Sequence, residues 1–387
     1  MEKSKQKKIA IIVGTVIILA VILGLYLGLP TDKKYNNVIF GNMSMQTIIK
    51  TQITNQGSVG NKILNSVNLI DDLTNPTKES SDIYKINHSK VNEEINVDPV
   101  TIDLLEISYD VYLKTGKKYN PASYCLVDLW GFSAEKFNPN IEHTLPQEDL
   151  IKKGIRLSEK FSDLVFIEST DTEAEIAEKK LNATFIVDKI NNTVTRTEKA
   201  KDGDDIAMID LGGISKGYAA GLCFNVFSSS NIENGLVNIA GNVYTYGRDF
   251  AVGLENPFKD NEGESNIFGV VDLKNLTVSV SGVYLRNYKI GDTLYHHIID
   301  TTTGAPKTLS NDSIIMASVI SNNGAIADAL ATSLVLCDTY EDAENIINKY
   351  SEEVKAVILV KGNKEYKIIG DVSFKFNESE LEGFTKI

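Results

Sequence analysis

Three short segments of the sequence place carboxylate, hydroxyl, imidazole and ammonium groups beside glycines. They are residues 210–221 (DLGGISKGYAAG), 296–306 (HHIIDTTTGAP) and 325–334 (AIADALATSL). A divalent cation that holds a pyrophosphate needs oxygen ligands, a nearby positive charge and close approach of backbone groups. Together the three segments supply all of these groups, so their combination indicates phosphate chemistry supported by a metal ion.

The third segment carries the most legible candidate for a metal site. Its apolar pattern predicts a helix over about 324–336, and the four-residue spacing of Asp328 and Thr332 places both on one helix face. A carboxylate and a hydroxyl are hard oxygen ligands that suit Mg²⁺ better than zinc. Asp328 is also consistent with a first-turn charge that complements the helix dipole, so this helix alone leaves both interpretations open.

The first segment predicts a strand over 206–211, a double glycine and the start of a helix. Such a helix N-terminus can cradle an anion. Asp210 could then hold a ribose, an adenine or a metal-bound water, and Lys216 could contact a phosphate. The alternative is a tight turn in which Asp210 and Ser215 only cap the helix.

The second segment contains two adjacent histidines at the end of a predicted strand. Strand alternation sends His296 and His297 to opposite faces, so one can face a site while the other is solvated. His297 is interpreted as a general base or a nucleotide-contacting donor, with a surface histidine as the alternative. The G-x-S-x-G pattern at 213–217 also fits a serine hydrolase built on Ser215, His297 and Asp272 or Asp292, but no oxyanion segment accompanies it.

Mixed helices and strands must position these groups. Helices are predicted over about 61–73, 98–115, 147–161, 214–227, 324–336 and 340–350. Strands are predicted over about 38–53, 164–168, 183–187, 193–197, 206–211, 235–246, 249–254, 267–272, 276–281, 294–299, 354–360 and 365–370. Because helices and strands do not alternate regularly, the pattern favours an α+β fold. We expect one catalytic domain over 38–387, with a mixed sheet and one or two lobes around a cleft.

The first 37 residues differ from this domain. Four lysines in the first eight residues precede an uncharged run over 9–29, which as a helix would span about 31 Å, the thickness of a bilayer core. The positive-inside rule predicts a cytosolic basic segment (1–8), a transmembrane signal anchor (9–29), a tether (30–37) and a domain outside the cytoplasm. The chain would then be a single-pass protein of the cell membrane; a cleaved signal peptide is the alternative.

Composition is that of a globular protein, with 42% hydrophobic and 24% charged residues among 387. The net charge of −13 argues against a nucleic-acid partner, because phosphate neutralisation needs clustered Lys and Arg. Cys125, Cys223 and Cys337 lie far apart and form no C-x-x-C pair, which argues against structural zinc.

In this order, the three segments resemble the D-x-G-G-x-x-K-G-Y-A, H-I-I-D-x-x-T-G-x-P and A-D-A-L-A-T signatures of the ApbE-type flavin transferases. Weaker likenesses at 81–87, 120–121 and 129–132 extend the resemblance from about 38 to 370. It implies Mg²⁺-dependent transfer of FMN from FAD to a threonine hydroxyl of an acceptor flavoprotein at the membrane or cell surface, with release of AMP. The alternatives are an FAD pyrophosphatase that yields FMN and AMP, and a flavin-binding surface protein without turnover.

The resemblance also implies roles for individual residues. Mg²⁺ would be held by Asp328, Thr332 and the Gly213 carbonyl, and His297 would lie beside the pyrophosphate and assist deprotonation of the acceptor threonine. Contacts to FAD would come from Met43, Tyr119, Asn120, Asp210, Lys216 and His297. This chain departs from the family pattern at 42–45 (NMSM) and at Asn120, where the family has an aspartate.

Overall fold

A nine-stranded sheet lies at the centre of the fold, with helices on one face and a smaller sheet on the other. The structure is a computed structural model that describes residues 36–44, 47–53, 57–133, 135–259 and 265–387, with side chains from Thr51 onward. The predicted transmembrane segment lies outside these residues. Within them, no helix has both the length and the apolar character needed to cross a membrane. The residues from Asn37 to Ile387 form one compact unit.

The strands follow one another along the chain, and many are short. They are β1 (Asn36–Ser44), β2 (Thr47–Ile53), β3 (Glu94–Asn96), β4 (Leu164–Ile167), β5 (Phe185–Asp188), β6 (Thr193–Arg196), β7 (Lys201–Asp202), β8 (Asp205–Ile206), β9 (Gly235–Ile239), β10 (Asn242–Tyr246), β11 (Phe250–Glu255), β12 (Ile267–Leu273), β13 (Thr277–Gly282), β14 (Asn287–Ile290), β15 (Thr293–His296), β16 (Ile299–Asp300), β17 (Ala305–Pro306), β18 (Ile314–Ser321), β19 (Val354–Lys361), β20 (Glu365–Gly370), β21 (Phe374–Phe376) and β22 (Thr385–Lys386).

The helices are concentrated in the first half of the domain and near its C-terminus. They are α1 (Gly57–Thr74), α2 (Asp82–His88), α3 (Pro99–Lys114), α4 (Tyr124–Leu129), α5 (Glu148–Glu159), α6 (Glu173–Asn182), α7 (Ser215–Ser229), α8 (Gly324–Val335) and α9 (Tyr340–Ile347).

The central sheet has the strand order β1-β2-β9-β10-β13-β18-β19-β20-β22, and a second sheet has the order β3-β6-β5-β4. Pairing is antiparallel between β9 and β10 but parallel between β20 and β22 and between β4 and β5. Mixed pairing of this kind, with helices gathered on one face, confirms the predicted α+β class.

Strand β18 shows why the central sheet is stable. Every residue of it is buried. Ala317 and Val319 pack against the helical layer, whereas Met316 and Ile320 pack against the sheet formed by β11, β12 and β21. A strand buried on both faces reads as a continuous apolar run rather than an alternating one. For that reason the alternating pattern of a half-buried strand does not reveal β18. The exposed helix α6, which has no buried residue, is also missing from the predicted elements.

The segment before the double glycine is not the predicted strand. Only Asp205 and Ile206 pair in a ladder, with β7, and residues 207–211 form no helix or strand. The Asn87 side chain replaces a neighbouring strand there, because its amide donates to the Ile209 carbonyl and its oxygen accepts the Ile209 N–H, both at 2.8 Å. Ala207, Ile209 and Leu211 are fully buried. The Asn87 side chain therefore fixes the position of residues 207–211, which lead into the candidate site.

Helices α7 and α8 cross at unusually close range. A β-carbon on Gly217 would fall inside the Gly324 carbonyl oxygen and 2.6 Å from Cβ of Asp328. The α8 helix starts at an Asn323 cap, whose side-chain oxygen accepts the N–H groups of Ala325 and Ile326 at 3.0 and 3.2 Å. Because Gly217 and Gly324 have no side chains, α7 and α8 can pack backbone against backbone. This contact brings residues 210–221 next to residues 325–334.

Candidate active site

All three sequence segments meet in one cleft with a cavity volume of about 370 Å³. Its walls come from α1, α4, α7, α8 and the ends of β10 and β13. Among the polar side chains that line it are Lys118, Tyr119, Asn120, Tyr124, Asp210, Ser215, Lys216, Asn242, Ser281, Arg286, His297, Asp328 and Thr332. Met43 lies in β1, and its side chain falls outside the described part of the structure.

Asp328 joins the two closely packed helices. Its Oδ2 accepts the Gly217 N–H at 2.9 Å, whereas the next N–H along α7, that of Tyr218, donates to the Ile214 carbonyl in the usual helical way. The Gly213 carbonyl thereby lacks its usual helical donor, since that donor is Gly217. The same hydrogen bond therefore fixes the Asp328 carboxylate and leaves a backbone oxygen available beside it.

Further oxygen donors surround Asp328. The hydroxyls of Thr332 and Ser281 lie 3.1 Å apart, and the Asn242 side chain hydrogen-bonds to the Asp328 carboxylate. Burial raises the pKa of Asp328, although Lys216 and the Gly217 N–H partly offset this. A buried carboxylate among neutral oxygens, whose charge Lys216 offsets only in part, is an environment that suits a hard divalent ion.

The donor set differs from that of a zinc site. Within the described residues, no three His, Cys, Asp or Glu side chains converge. A metal ion in the cleft would therefore depend on hydroxyl, amide and backbone oxygens around a single carboxylate. This chemistry fits Mg²⁺ rather than zinc or copper.

The N-terminus of α7 is less available to an anion than the sequence predicts. The Gly212 N–H donates to Asp210 Oδ1 at 2.7 Å, the Ser215 N–H donates to the Leu211 carbonyl at 3.0 Å, and the Gly217 N–H donates to Asp328. These three amides are used within the protein. Positive charge at the cleft therefore comes mainly from side chains, among them Lys216, whose Nζ donates to the Gly212 carbonyl at 2.9 Å.

Arg286 is a cleft residue that the sequence analysis does not identify. It lies between β13 and β14, and its guanidinium makes a long contact of 3.5 Å to the Phe132 carbonyl and stacks 5.7 Å from the Phe137 ring centroid. Burial lowers its pKa, while the charge of Asp210 acts in the opposite direction. The described residues give Arg286 no carboxylate within ion-pair distance. Arg286 thus adds a positive charge to the wall of the cleft without a close counterion.

The two histidines have different roles. His296 is fully buried, and Nε2 donates to the Lys307 carbonyl at 3.0 Å while Nδ1 accepts the Ile298 N–H at 3.3 Å. The expectation that the second histidine is solvated is therefore wrong, because both ring nitrogens hold the chain in place. His297 lines the cleft, and its Nδ1 lies 3.3 Å from the Arg286 carbonyl, an acceptor that requires the proton on Nδ1.

These contacts also exclude the hydrolase arrangement. His297 Nδ1 is oriented by a backbone carbonyl instead of a carboxylate, and Asp272 accepts a hydrogen bond from Ser373 at 2.8 Å. Asp292 is exposed in the turn between β14 and β15. Ser215 is buried at the start of α7. The Ser-His-Asp geometry is not formed by these residues.

Tyr119 and Asn120 shape the wall of the cleft. The Tyr119 ring lies against Gly213, where an added β-carbon would be 3.2 Å from Cε2. Asn120 Nδ2 donates to the Ser158 carbonyl and Thr301 Oγ1 at 3.1 and 3.2 Å, and Oδ1 accepts the Ala122 N–H at 2.9 Å. The Asn120 amide is thus engaged by the protein, which makes it a positioning group.

Comparison with known proteins agrees with the predicted family. The family model described as ApbE family matches residues 45–358. A Klebsiella pneumoniae protein named FAD:protein FMN transferase is 23% identical over 302 residues, which cover 78% of this chain and 82% of the relative.

Two solved structures share the fold. The ApbE protein of Thermotoga maritima has a TM-score of 0.65 and 21% identity, and the match covers 91% of this chain and 100% of that one. The flavin transferase ApbE from Vibrio cholerae has a TM-score of 0.65 and 19% identity, with 87% and 97% covered. The mixed sheet with its helical layer is therefore an architecture seen by experiment.

Proposed function

Because this chain belongs to the ApbE family, as its sequence signatures indicated, we propose that it transfers FMN from FAD to a threonine hydroxyl of an acceptor flavoprotein, with release of AMP. The observation that carries the proposal is the meeting of Asp328, His297 and the two cationic side chains Lys216 and Arg286 in one cleft. We call the part of the cleft around Asp328, Thr332 and the Gly213 carbonyl the oxygen-lined end. Phosphoryl-type transfer requires oxygen ligands for a metal ion, cationic side chains and a base, and the cleft supplies all three.

We assign the metal position to the oxygen-lined end. Asp328, Thr332 and the Gly213 carbonyl would hold Mg²⁺, and the bound ion would neutralise charge on the pyrophosphate. The raised pKa of Asp328 supports this assignment, since a nearby cation restores the ionised form that burial disfavours. Lys216 and Arg286 would contact the phosphate oxygens from the other walls of the cleft, and Tyr119 and Asp210 would border the nucleotide.

His297 is the proposed base. With its proton on Nδ1, the ring offers the unprotonated Nε2 as acceptor for the threonine hydroxyl proton. The threonine oxygen then forms a bond to the FMN-side phosphorus, and the bond from that phosphorus to the bridging oxygen breaks. AMP leaves with the bridging oxygen and its electron pair, so the flavin mononucleotide ends on the threonine.

The pH dependence of kcat/KM for FAD tests this role for His297. Burial lowers the pKa of His297 to about 3, with Arg286 and His296 acting in the same direction. An ordinary imidazole loses most of its basic form between about pH 7.5 and 5.5, whereas His297 stays neutral there. We expect no imidazole inflection in that range for the free enzyme. An inflection near pH ~6.5 that disappears in His297→Asn would contradict the lowered pKa, and an unchanged kcat/KM in His297→Asn would contradict the role of His297 as base.

Arg286 provides a second test, through binding of a diphosphate. Charge-assisted hydrogen bonds contribute about 1.5–3 kcal/mol, so Arg286→Gln should weaken binding of ADP roughly 10- to 100-fold. Arg286→Lys should recover only part of this, because an ammonium cannot bind two phosphate oxygens in a fork. Arg156→Gln is the matched control, since Arg156 pairs with Asp202 on the surface. Calorimetry without metal would measure the affinities, and equal affinities for all variants would remove Arg286 from the site.

The two alternatives differ from transfer in their products. A pyrophosphatase releases FMN and AMP in equal amounts without modifying a protein, and a flavin-binding protein releases neither. The test is to incubate the full-length protein with FAD, Mg²⁺ and an acceptor flavoprotein and to quantify AMP, free FMN and protein-bound FMN. Transfer predicts one bound FMN for each AMP and little free FMN. Free FMN equal to AMP would favour the pyrophosphatase.

The location of the reaction remains a proposal from the sequence. The basic segment 1–8 and the apolar run 9–29 support anchoring in the cell membrane with the domain outside the cytoplasm. An acceptor at the membrane or cell surface follows from that placement. Protease accessibility of the domain in intact cells would test it.

A further inference from the structure

Among the described side chains that line the oxygen-lined end, only Asn242 has a buried polar atom without a hydrogen-bond partner. It is 1% exposed, it lines the cleft, and its Oδ1 has no hydrogen-bond partner. Its amide nitrogen is used, because the side chain hydrogen-bonds to the Asp328 carboxylate and only Nδ2 can donate. Flipping the amide would place two acceptors against each other, so the orientation is determined by Asp328.

The backbone holds Asn242 rigidly in this position. It is the first residue of β10 and pairs with Ile239 on one side and Ser279 on the other. The turn before it places Ala240 and Gly241 in the left-handed region, at φ of 47° and 89°, and Asn238 secures that turn by accepting the Gly241 N–H at 3.0 Å. A small shift of a loop therefore cannot expose the unpaired Asn242 Oδ1 to solvent.

We propose that the Asn242 side-chain oxygen is a further ligand of the divalent cation, beside Asp328 and Thr332. The proposal rests on the metal-dependent function proposed above and adds a residue to it. An unsatisfied buried carbonyl destabilises the folded protein, and a hard cation with its bound waters would remove that penalty. Because Nδ2 binds Asp328 while Oδ1 stays free, one side chain both orients the carboxylate and adds an oxygen.

Ser279 supplies the matched control. It is fully buried, its hydroxyl also lacks a partner, and it pairs directly with Asn242 in the sheet. It does not line the cleft. Ser279→Ala removes this unpaired hydroxyl and should therefore change the stability of the protein but not its affinity for metal.

The experiment compares full-length wild type, Asn242→Leu, Ser279→Ala and Asp328→Asn in detergent, without FAD. Calorimetry measures binding of Mg²⁺ and Mn²⁺, and thermal unfolding measures Tm with and without metal. For Asn242→Leu we expect a metal-free Tm equal to or above that of wild type, at least ~10-fold weaker metal binding and loss of the metal-induced rise in Tm. Ser279→Ala should bind metal as wild type does.

Asn242→Asp is the second variant, because Asn242→Leu can perturb packing. A second carboxylate beside Asp328 should lower the metal-free Tm through like-charge repulsion and strengthen metal binding. Wild-type metal affinity in both Asn242 variants, together with weaker binding in Asp328→Asn, would overturn the role of Asn242 and leave the proposed function intact. Unchanged affinity in Asp328→Asn as well, or no metal binding by wild type, would overturn both.

Discussion

Gly217→Ala is expected to destabilise the protein by at least ~3 kcal/mol and to abolish activity, because it forces two backbones apart. The new β-carbon would overlap the Gly324 carbonyl and lie 2.6 Å from Cβ of Asp328. Neither neighbour is the flexible end of a side chain, so helix α8 itself must move. Movement of α8 also shifts Asp328 away from the Gly217 N–H that fixes it.

Gly221→Ala is the control, one helical turn further along α7. A β-carbon there would have its nearest neighbour, the Gly324 nitrogen, at 3.8 Å, which is ordinary contact. Since alanine is favoured over glycine inside a helix by about 1 kcal/mol, this variant should be as stable as wild type or more stable. Chemical denaturation of both variants provides the measurement. Equal stabilities would show that α7 and α8 do not approach each other as closely as described.

Asp328→Asn is expected to lower the rate of FMN transfer by at least ~100-fold without unfolding the protein. The amide oxygen can still accept the Gly217 N–H, so the helix contact survives. Removal of a buried charge whose pKa is raised by burial should leave the metal-free Tm unchanged or higher. A loss of activity combined with retained stability is the signature of a lost ligand.

Asp249→Asn is the corresponding control at an exposed position. It removes a carboxylate of the same kind away from the cleft, and its rate should equal that of wild type. Rates are measured as AMP released in the presence of acceptor, with Mg²⁺ varied. If Asp328→Asn reacts at the wild-type rate at every Mg²⁺ concentration, Asp328 is not a metal ligand.

Much of the fold and part of the site could be predicted because their signals are local. The helical spacing of Asp328 and Thr332 places both side chains on the cleft side of α8. The turn that begins at Asp300 also has a local cause, since Asp300 Oδ1 accepts the Thr302 N–H at 2.8 Å. Helix boundaries such as those of α3, with an Asp98 cap followed by proline, follow from capping chemistry.

The remaining features depend on contacts between distant parts of the chain. Arg286 belongs to no recognisable pattern, and only the path from β13 to β14 brings it into the cleft, where the charge of Asp210 acts on it. In the sequence, Asn242 resembles any polar residue of a β-hairpin. Only the packing of α8 against β10 places it next to Asp328. The extended stretch before Gly212 has strand-like alternation, yet it is held by the side chain of Asn87, 122 residues away. Periodicity cannot reveal a partner of this kind.

The most direct test of the central claim is the intact mass of an acceptor flavoprotein after incubation with the full-length protein, FAD and Mg²⁺. We predict one added FMN per acceptor, located on a threonine by peptide mapping. The addition should be absent with EDTA, with Asp328→Asn, and with an acceptor whose threonine is replaced by valine. Consumption of FAD to AMP and free FMN, with the acceptor mass unchanged and with the threonine accessible, would show that the protein hydrolyses FAD and does not transfer FMN.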